Sequence, residues 1–233
     1  MMKVTLSFEK TITSDVSIMV DALRASTTIS LALNKYKKII PCFTKEEAFI
    51  IAKKTGGVLA GERNGLTIEG FDVGNSPEDI LKFKTDSDTL VLTTSNGTRI
   101  MENMNSTVLV GAFVNSEAVA KASIKIAKKE IDVVMAGYKG HFALEDFLAS
   151  GEILYLIEKN LKLENKPYKL NDEAVSAILA SRNAIEVKKA INNSVSGKKL
   201  KSLNSQHDID CCLKNNITKN VAIYNNKILK LID

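Results

Sequence analysis

Residues 89–99, TLVLTTSNGTR, decide the fold class. A β-branched apolar run stops at Thr94, Ser95, Asn96 and Gly97, small polar residues that suit a tight turn and can aim several donors at an anion. The same pattern recurs along the chain. VSIMV (16–20) runs into Asp21, Arg24 and Ser26; GGVLAG (56–61) into Glu62, Arg63 and Asn64; TVLVGAF (107–113) into Asn115 and Ser116; IDVVMAG (131–137) into Tyr138 and Lys139. In an open parallel α/β sheet such strand exits share one edge, where ligands bind. Several distant segments are therefore expected to build a single anion site.

Helical patterns separate these runs. RASTTISLALNKY begins a helix capped by Ser26 or Thr27; KKIIPCF is a short strand; Thr44 followed by Glu47 makes a capping box that opens a helix to about Lys54. The glycine-rich segment GERNGLTIEGFDVGNSP (61–77) reads as a long loop, ending in Ser76 as helix cap with Pro77 at the first helical position. A helix begins near Thr98, another is SEAVAKASIKIAKKE with Asn115 or Ser116 as cap, and LEDFLASGEILYLIEKN is an amphipathic helix. NDEAVSAILASRN is a short helix, the stretch to Cys212 is mixed, and VAIYNNKILKL is a hairpin around Asn225 and Asn226. Strands alternating with helices indicate an α/β fold with a mostly parallel sheet. Neither a fixed-period repeat nor a low-complexity linker marks a domain boundary.

Composition bounds the function classes. At 233 residues and 45% hydrophobic content the chain can bury a full core, and no apolar run approaches the roughly 18 residues that cross a bilayer. MMKVTLSFEK lacks the apolar centre of a signal peptide, so no membrane association and a cytoplasmic location are expected. Cys42, Cys211 and Cys212 have neither zinc-ligand nor CxxC spacing and read as reduced, structural thiols. The net charge of +5 comes from dispersed lysines, Lys198 and Lys199 among them; with 6% aromatics and no Trp, nucleic-acid binding is not expected. Arginine is placed differently. Of the four, Arg24, Arg63 and Arg99 fall within the Gly/Asn/Ser clusters, where a planar fork can grip carboxylate, phosphate or sulfonate; structural salt bridges are the plainer alternative.

The acids decide whether such a site is catalytic. Asp21 stands at a strand exit three residues before Arg24, where it either binds a metal or pairs with that arginine. Glu62 and Arg63 diverge if their segment is extended. Glu145 and Asp146 open a helix, where dipole compensation alone would suit them, and Asp72 suits an Asx turn. Magnesium takes hard oxygen ligands, commonly one or two carboxylates plus substrate phosphate, so acids beside arginines fit a magnesium phosphoryl site. GxxxxGK[ST], GxSxG and HExxH do not occur, nor does a cysteine-phosphatase loop or an aspartyl-phosphatase DxD after Val20. His141 and His207 suit ordinary polar contacts as well as proton donation.

VDALRASTTI, GERNG, GFDVGNSPED, TTSNGTR, AGYKGHFALEDFLASGE and, more weakly, DIDCCLKNN together resemble, in order, the 2-phosphosulfolactate phosphatase family over residues 16–214. The resemblance implies a three-layer α/β/α fold of two similar intertwined halves, about residues 1–115 and 116–233. It also implies magnesium-dependent removal of phosphate from 2-phospho-3-sulfolactate, giving 3-sulfolactate on the route to coenzyme M. Ala22, Ser95, Tyr138 and Lys139 depart from the family pattern, the last two at a pocket wall where they bear on substrate identity.

These readings give a set of expectations. Magnesium is held by Asp21 with Glu145 or Asp146; Arg24, Arg63 and Arg99 share the substrate's negative charges. The turn Thr94, Ser95, Asn96, Gly97 and Thr98, with Asn75 and Ser76, supplies further donors. Ser26, Glu62 and Lys139 complete the substrate contacts. The partner is a small anionic phosphorylated substrate, and the assembly is a homodimer, the commonest closed oligomer. A non-catalytic anion or metabolite binder on the same fold is the competing reading, since it has no need for the three acids to converge.

Overall fold

The structure, a computed structural model, describes residues 1–94 and 97–232, leaving out the side chains of residues 97–99. Ser95, Asn96, the surroundings of Gly97 and the side chains of Thr98 and Arg99, all expected at the site, therefore lie outside the described residues. The chain opens with a strand that the sequence reading does not include, β1 (Met2–Phe8), in which Val4 and Leu6 face the core while Thr5 and Ser7 hydrogen-bond Asp132 on the other face. There follow β2 (Val16–Val20), α1 (Ala25–Ala32), β3 (Lys38–Cys42), α2 (Lys45–Thr55), β4 (Val58–Arg63), β5 (Leu66–Thr67), α3 (Pro77–Lys82), β6 (Thr89–Thr93), α4 (Gly97–Glu102) and β7 (Thr107–Val110). The second half holds α5 (Ser116–Ile126), β8 (Glu130–Met135), α6 (Leu144–Leu163), β9 (Tyr168–Leu170), α7 (Asp172–Ser181), α8 (Ala184–Asn193), α9 (Val195–Ser202), α10 (Gln206–Cys212), β10 (Ala222–Asn225) and β11 (Ile228–Leu231).

All strands join one sheet in the order β5-β4-β6-β3-β11-β10-β7-β2-β8-β1-β9. β2 and β6 are buried along their whole length, which is why their sequences are continuous apolar or β-branched runs rather than alternating ones. One face carries Met19, Ile39, Leu90, Leu92, Val110 and Val134 against Ile29 of α1 and Ile100 and Met101 of α4. The opposite face carries Ile18, Leu109, Ile131 and Val133 against α5, α6 and α7, and α2 covers Cys42, Leu59 and Val91 farther along. The result is an α/β/α sandwich. Among the described residues no helix is long and apolar enough to cross a membrane.

The C-terminal hairpin is an interior part of this sheet. β10 pairs antiparallel with β7, and β11 pairs antiparallel with β3, so the parallel group β3-β6-β4 runs opposite to the parallel group β7-β2-β8-β1-β9. A flat sheet would then send the exits of β2 and β4 to opposite edges. Twist corrects this. At roughly 20–25° between neighbouring strands, the six steps from β4 to β2 rotate the strand direction by about 120–150°, and the sheet curls around α1 and α4. The exits of both groups consequently face a common cleft, although not along one parallel edge as the sequence pattern suggests.

Candidate active site

The cleft is lined by Asp21, Leu23 and Arg24 after β2, Glu62, Asn64 and Gly65 at the end of β4, Asn75 before α3, Thr94 after β6, and Tyr138 and Lys139 after β8. Ser196, Lys199 and Leu200 of α9 close the remaining side.

The turn after β2 is held rigidly. Asp21 N–H donates to Ser26 Oγ at 2.8 Å, and Asp21 Oδ1 accepts from Ala25 N–H at 3.3 Å, which puts the carboxylate at the positive end of α1. Ser26 is neither a cap nor a cleft residue: it is fully buried inside the first turn of α1 and spends its hydroxyl on backbone. Arg24, buried, donates through Nη1 to Asp208 of α10 and through Nη2 to the Gly65 carbonyl at 3.4 Å. Asp208 also accepts from Ser76 Oγ at 2.6 Å. Ser76 thus serves two structural partners, since its oxygen accepts from Asp79 N–H as the cap of α3.

Asn64 and Gly65 form a two-residue turn between β4 and β5, with φ of 56° and 86°, the Asn-Gly geometry that a tight hairpin favours. The expected long loop is therefore a hairpin at its start. Glu62 accepts from Gly65 N–H at 2.6 Å and faces the cleft; Arg63, next along the strand, points away. Its guanidinium is exposed and donates to the carbonyls of Glu62 and Phe43, so the structure does not bring Arg63 to the site. Asn75 does face the cleft. Its buried Oδ1 has no hydrogen-bond partner among the described residues, while its backbone carbonyl accepts from Thr28 Oγ1 at 3.0 Å.

Glu145 and Asp146 are almost wholly buried. Asp146 Oδ1 accepts from Ala22 N–H at 2.8 Å and Oδ2 from Gly137 N–H at 2.9 Å, so this carboxyl braces the β2 exit against the β8 exit instead of lining the cleft. Burial, reinforced by the carboxylates of Asp21 and Glu145, holds the Asp146 carboxyl well above the usual carboxylate range. Glu145 lies behind the turn with Leu23, Phe113 and Cys212. Among the described residues no three Asp, Glu, His or Cys side chains gather as a metal-holding group, and of Asp21, Glu145 and Asp146 only Asp21 lines the cleft. Asn115, expected at another strand exit, instead accepts from Ala112 N–H and donates to the carbonyls of Val110 and Asn220.

Two contributors were not singled out from the sequence. Lys199 donates to Tyr138 Oη at 3.2 Å, although its sequence reads as solvated helix surface. Asp208 had only the weak DIDCCLKNN resemblance to signal it.

An α/β sheet whose strand exits set two acids, an arginine and a lysine around a cleft, with a second lysine from α9, is suited to small polyanions. The chain belongs to the 2-phosphosulpholactate phosphatase family, whose model matches residues 3–227, and it is a phosphoric monoester hydrolase. It is 41% identical over 232 residues, all of this chain and 96% of the relative, to 2-phosphosulfolactate phosphatase of Methanothermobacter thermautotrophicus. It is also similar to two proteins named probable 2-phosphosulfolactate phosphatase. The one from Clostridium acetobutylicum is 34% identical (94% of this chain, 93% of the relative), and the one from Carboxydothermus hydrogenoformans is 37% identical (86% and 82%).

Proposed function

We propose that the chain is a magnesium-dependent phosphatase that hydrolyses 2-phospho-3-sulfolactate to 3-sulfolactate and phosphate. The observation that carries the reading is the meeting, in one cleft, of the Asp21 carboxylate, the unpartnered Asn75 oxygen and the Arg24 guanidinium. Family membership supports the reaction class, and this constellation is what supports locating it in this cleft.

The donor set fits magnesium. Asp21 and Asn75 both offer hard oxygens in the cleft lining, and magnesium commonly needs only one or two protein carboxylates beside water and substrate phosphate. Bound there, the ion would neutralise phosphate charge. Arg24, whose orientation is fixed by Asp208, aims the rest of its fork at substrate oxygens, and Thr94 borders the same space. Water adds to phosphorus as the ester bond to the sulfolactate C2 oxygen breaks, and that oxygen leaves as the product hydroxyl. The loose transition state of such a transfer asks for positioning and charge stabilisation above all. Asp146 and Ser26 contribute by fixing the Asp21 turn, outside the cleft themselves.

Phosphate release from 2-phospho-3-sulfolactate, assayed with magnesium and then with EDTA, tests this reading. Turnover that needs the metal supports it; equal turnover in EDTA sinks the magnesium assignment, and no turnover with either sinks the substrate.

A further inference from the structure

The cleft wall formed by the β8 exit and α9 has a feature that phosphate transfer does not use. Lys139 and Lys199 both stand over the Tyr138 ring, their ammonium nitrogens 5.5 and 5.4 Å from its centroid, and all three residues line the cleft. Among the described residues neither ammonium forms an ion pair. Two like charges held beside one ring in a concave wall repel each other, and the arrangement is stabilised when an anion sits between them. Tyr138 Oη accepts from Lys199, which leaves its own proton free to be donated. The wall therefore offers three donors.

We propose that Tyr138, Lys139 and Lys199 form a second anion subsite, which holds the non-transferred sulfonate of the substrate and selects for it. Three donors on one wall match the three oxygens of a tetrahedral sulfonate; a planar carboxylate is better matched by an arginine fork. The inference rests on the substrate assigned above and names the residues that recognise its distal end. Lys199 arrives on α9, so specificity is contributed by the C-terminal helices while the Asp21 side of the cleft handles the phosphate.

The test pairs each substrate with each variant. Kinetics on 2-phospho-3-sulfolactate, on O-phosphomalate (carboxylate in place of sulfonate) and on O-phospholactate (neither) are measured for the parent, Lys199→Met, Lys139→Met and Lys199→Arg, with thermal melts as a fold check. Lys199→Met should lose at least tenfold more kcat/KM on 2-phospho-3-sulfolactate than on O-phospholactate, mainly through KM, and Lys199→Arg should recover most of that loss. An equal loss on all three substrates in a folded variant overturns the subsite. Calorimetric binding of 3-sulfolactate against lactate provides a readout independent of turnover. If the parent hydrolyses none of the three esters, the substrate reading fails by itself. The subsite then stands if the parent prefers 3-sulfolactate and Lys199→Met abolishes that preference, and falls if the parent shows no preference or the variant keeps it.

Discussion

Arg24 and Asp208 lie 184 residues apart in the chain and form a buried ion pair, with Asp208 completely shielded from solvent. The pair ties α10 to the turn that carries Asp21, and the Ser76 hydroxyl on Asp208 adds the start of α3 to the same knot. Arg24 enters the cleft already oriented.

Removing one member of this pair leaves the other charged and buried. Asp208→Ala should cost about 3–5 kcal/mol of stability in urea denaturation, together with most of the phosphatase activity. The double replacement Arg24→Met with Asp208→Leu should recover much of that stability and none of the activity. Recovery of turnover in the double variant would show that Arg24 is only a structural cation.

The turn between β10 and β11 places Asn226 and Lys227 at φ of 49° and 62°, the left-handed pair that a two-residue hairpin requires. A lysine is strained there and glycine is not. Lys227→Gly should raise stability by about 0.5–1 kcal/mol, read as a higher melting temperature. Because the hairpin joins the two parallel groups from inside the sheet, deleting residues 221–233 should abolish the cooperative melt altogether.

Burial pushes the Cys42 thiol up to about 12 from 9.0, with Glu47 and Glu102 adding to it. Above pH 9 the unfolded chain releases this proton while the folded protein retains it, so the folded state binds more protons and stability falls as pH rises from 9 towards 12. The slope approaches ~1.4 kcal/mol per pH unit for such a thiol. Urea denaturation at pH 8, 9.5 and 10.5 should show a shallower decline for Cys42→Ala than for the parent; parallel declines would contradict the assignment.

The parts of the fold legible in sequence are those set locally. VSIMV and TLVLT announce themselves because strands covered on both faces need uninterrupted apolar or β-branched side chains, and Thr44 and Ser76 cap their helices as their spacing implies. Asn64-Gly65 carried a hairpin signal that the surrounding glycines obscured. β1 alternates polar and apolar residues over too short a span to stand out, its polar face being explained only by Asp132 from a distant strand. The opposed strand groups depend on where the C-terminal hairpin inserts, a non-local pairing that no periodicity encodes. The site follows the same division. Asp21, Arg24, Glu62, Thr94 and Lys139 reach the cleft because strand exits do, and Asn75 because it leads into α3, whereas Lys199 and Asp208 come from helices whose placement is purely tertiary.

The most direct test of the central claim is phosphate release from 2-phospho-3-sulfolactate by Asp21→Asn and Arg63→Ala, each checked for an unchanged melt. With Asp21 on the cleft wall and Arg63 directed away from it, Asp21→Asn should lose about a thousandfold or more in kcat, equivalent to roughly 4 kcal/mol of barrier, and Arg63→Ala should stay within about threefold of the parent. An active Asp21→Asn enzyme, or an Arg63→Ala enzyme as impaired as Asp21→Asn is expected to be, would place the chemistry somewhere other than this cleft.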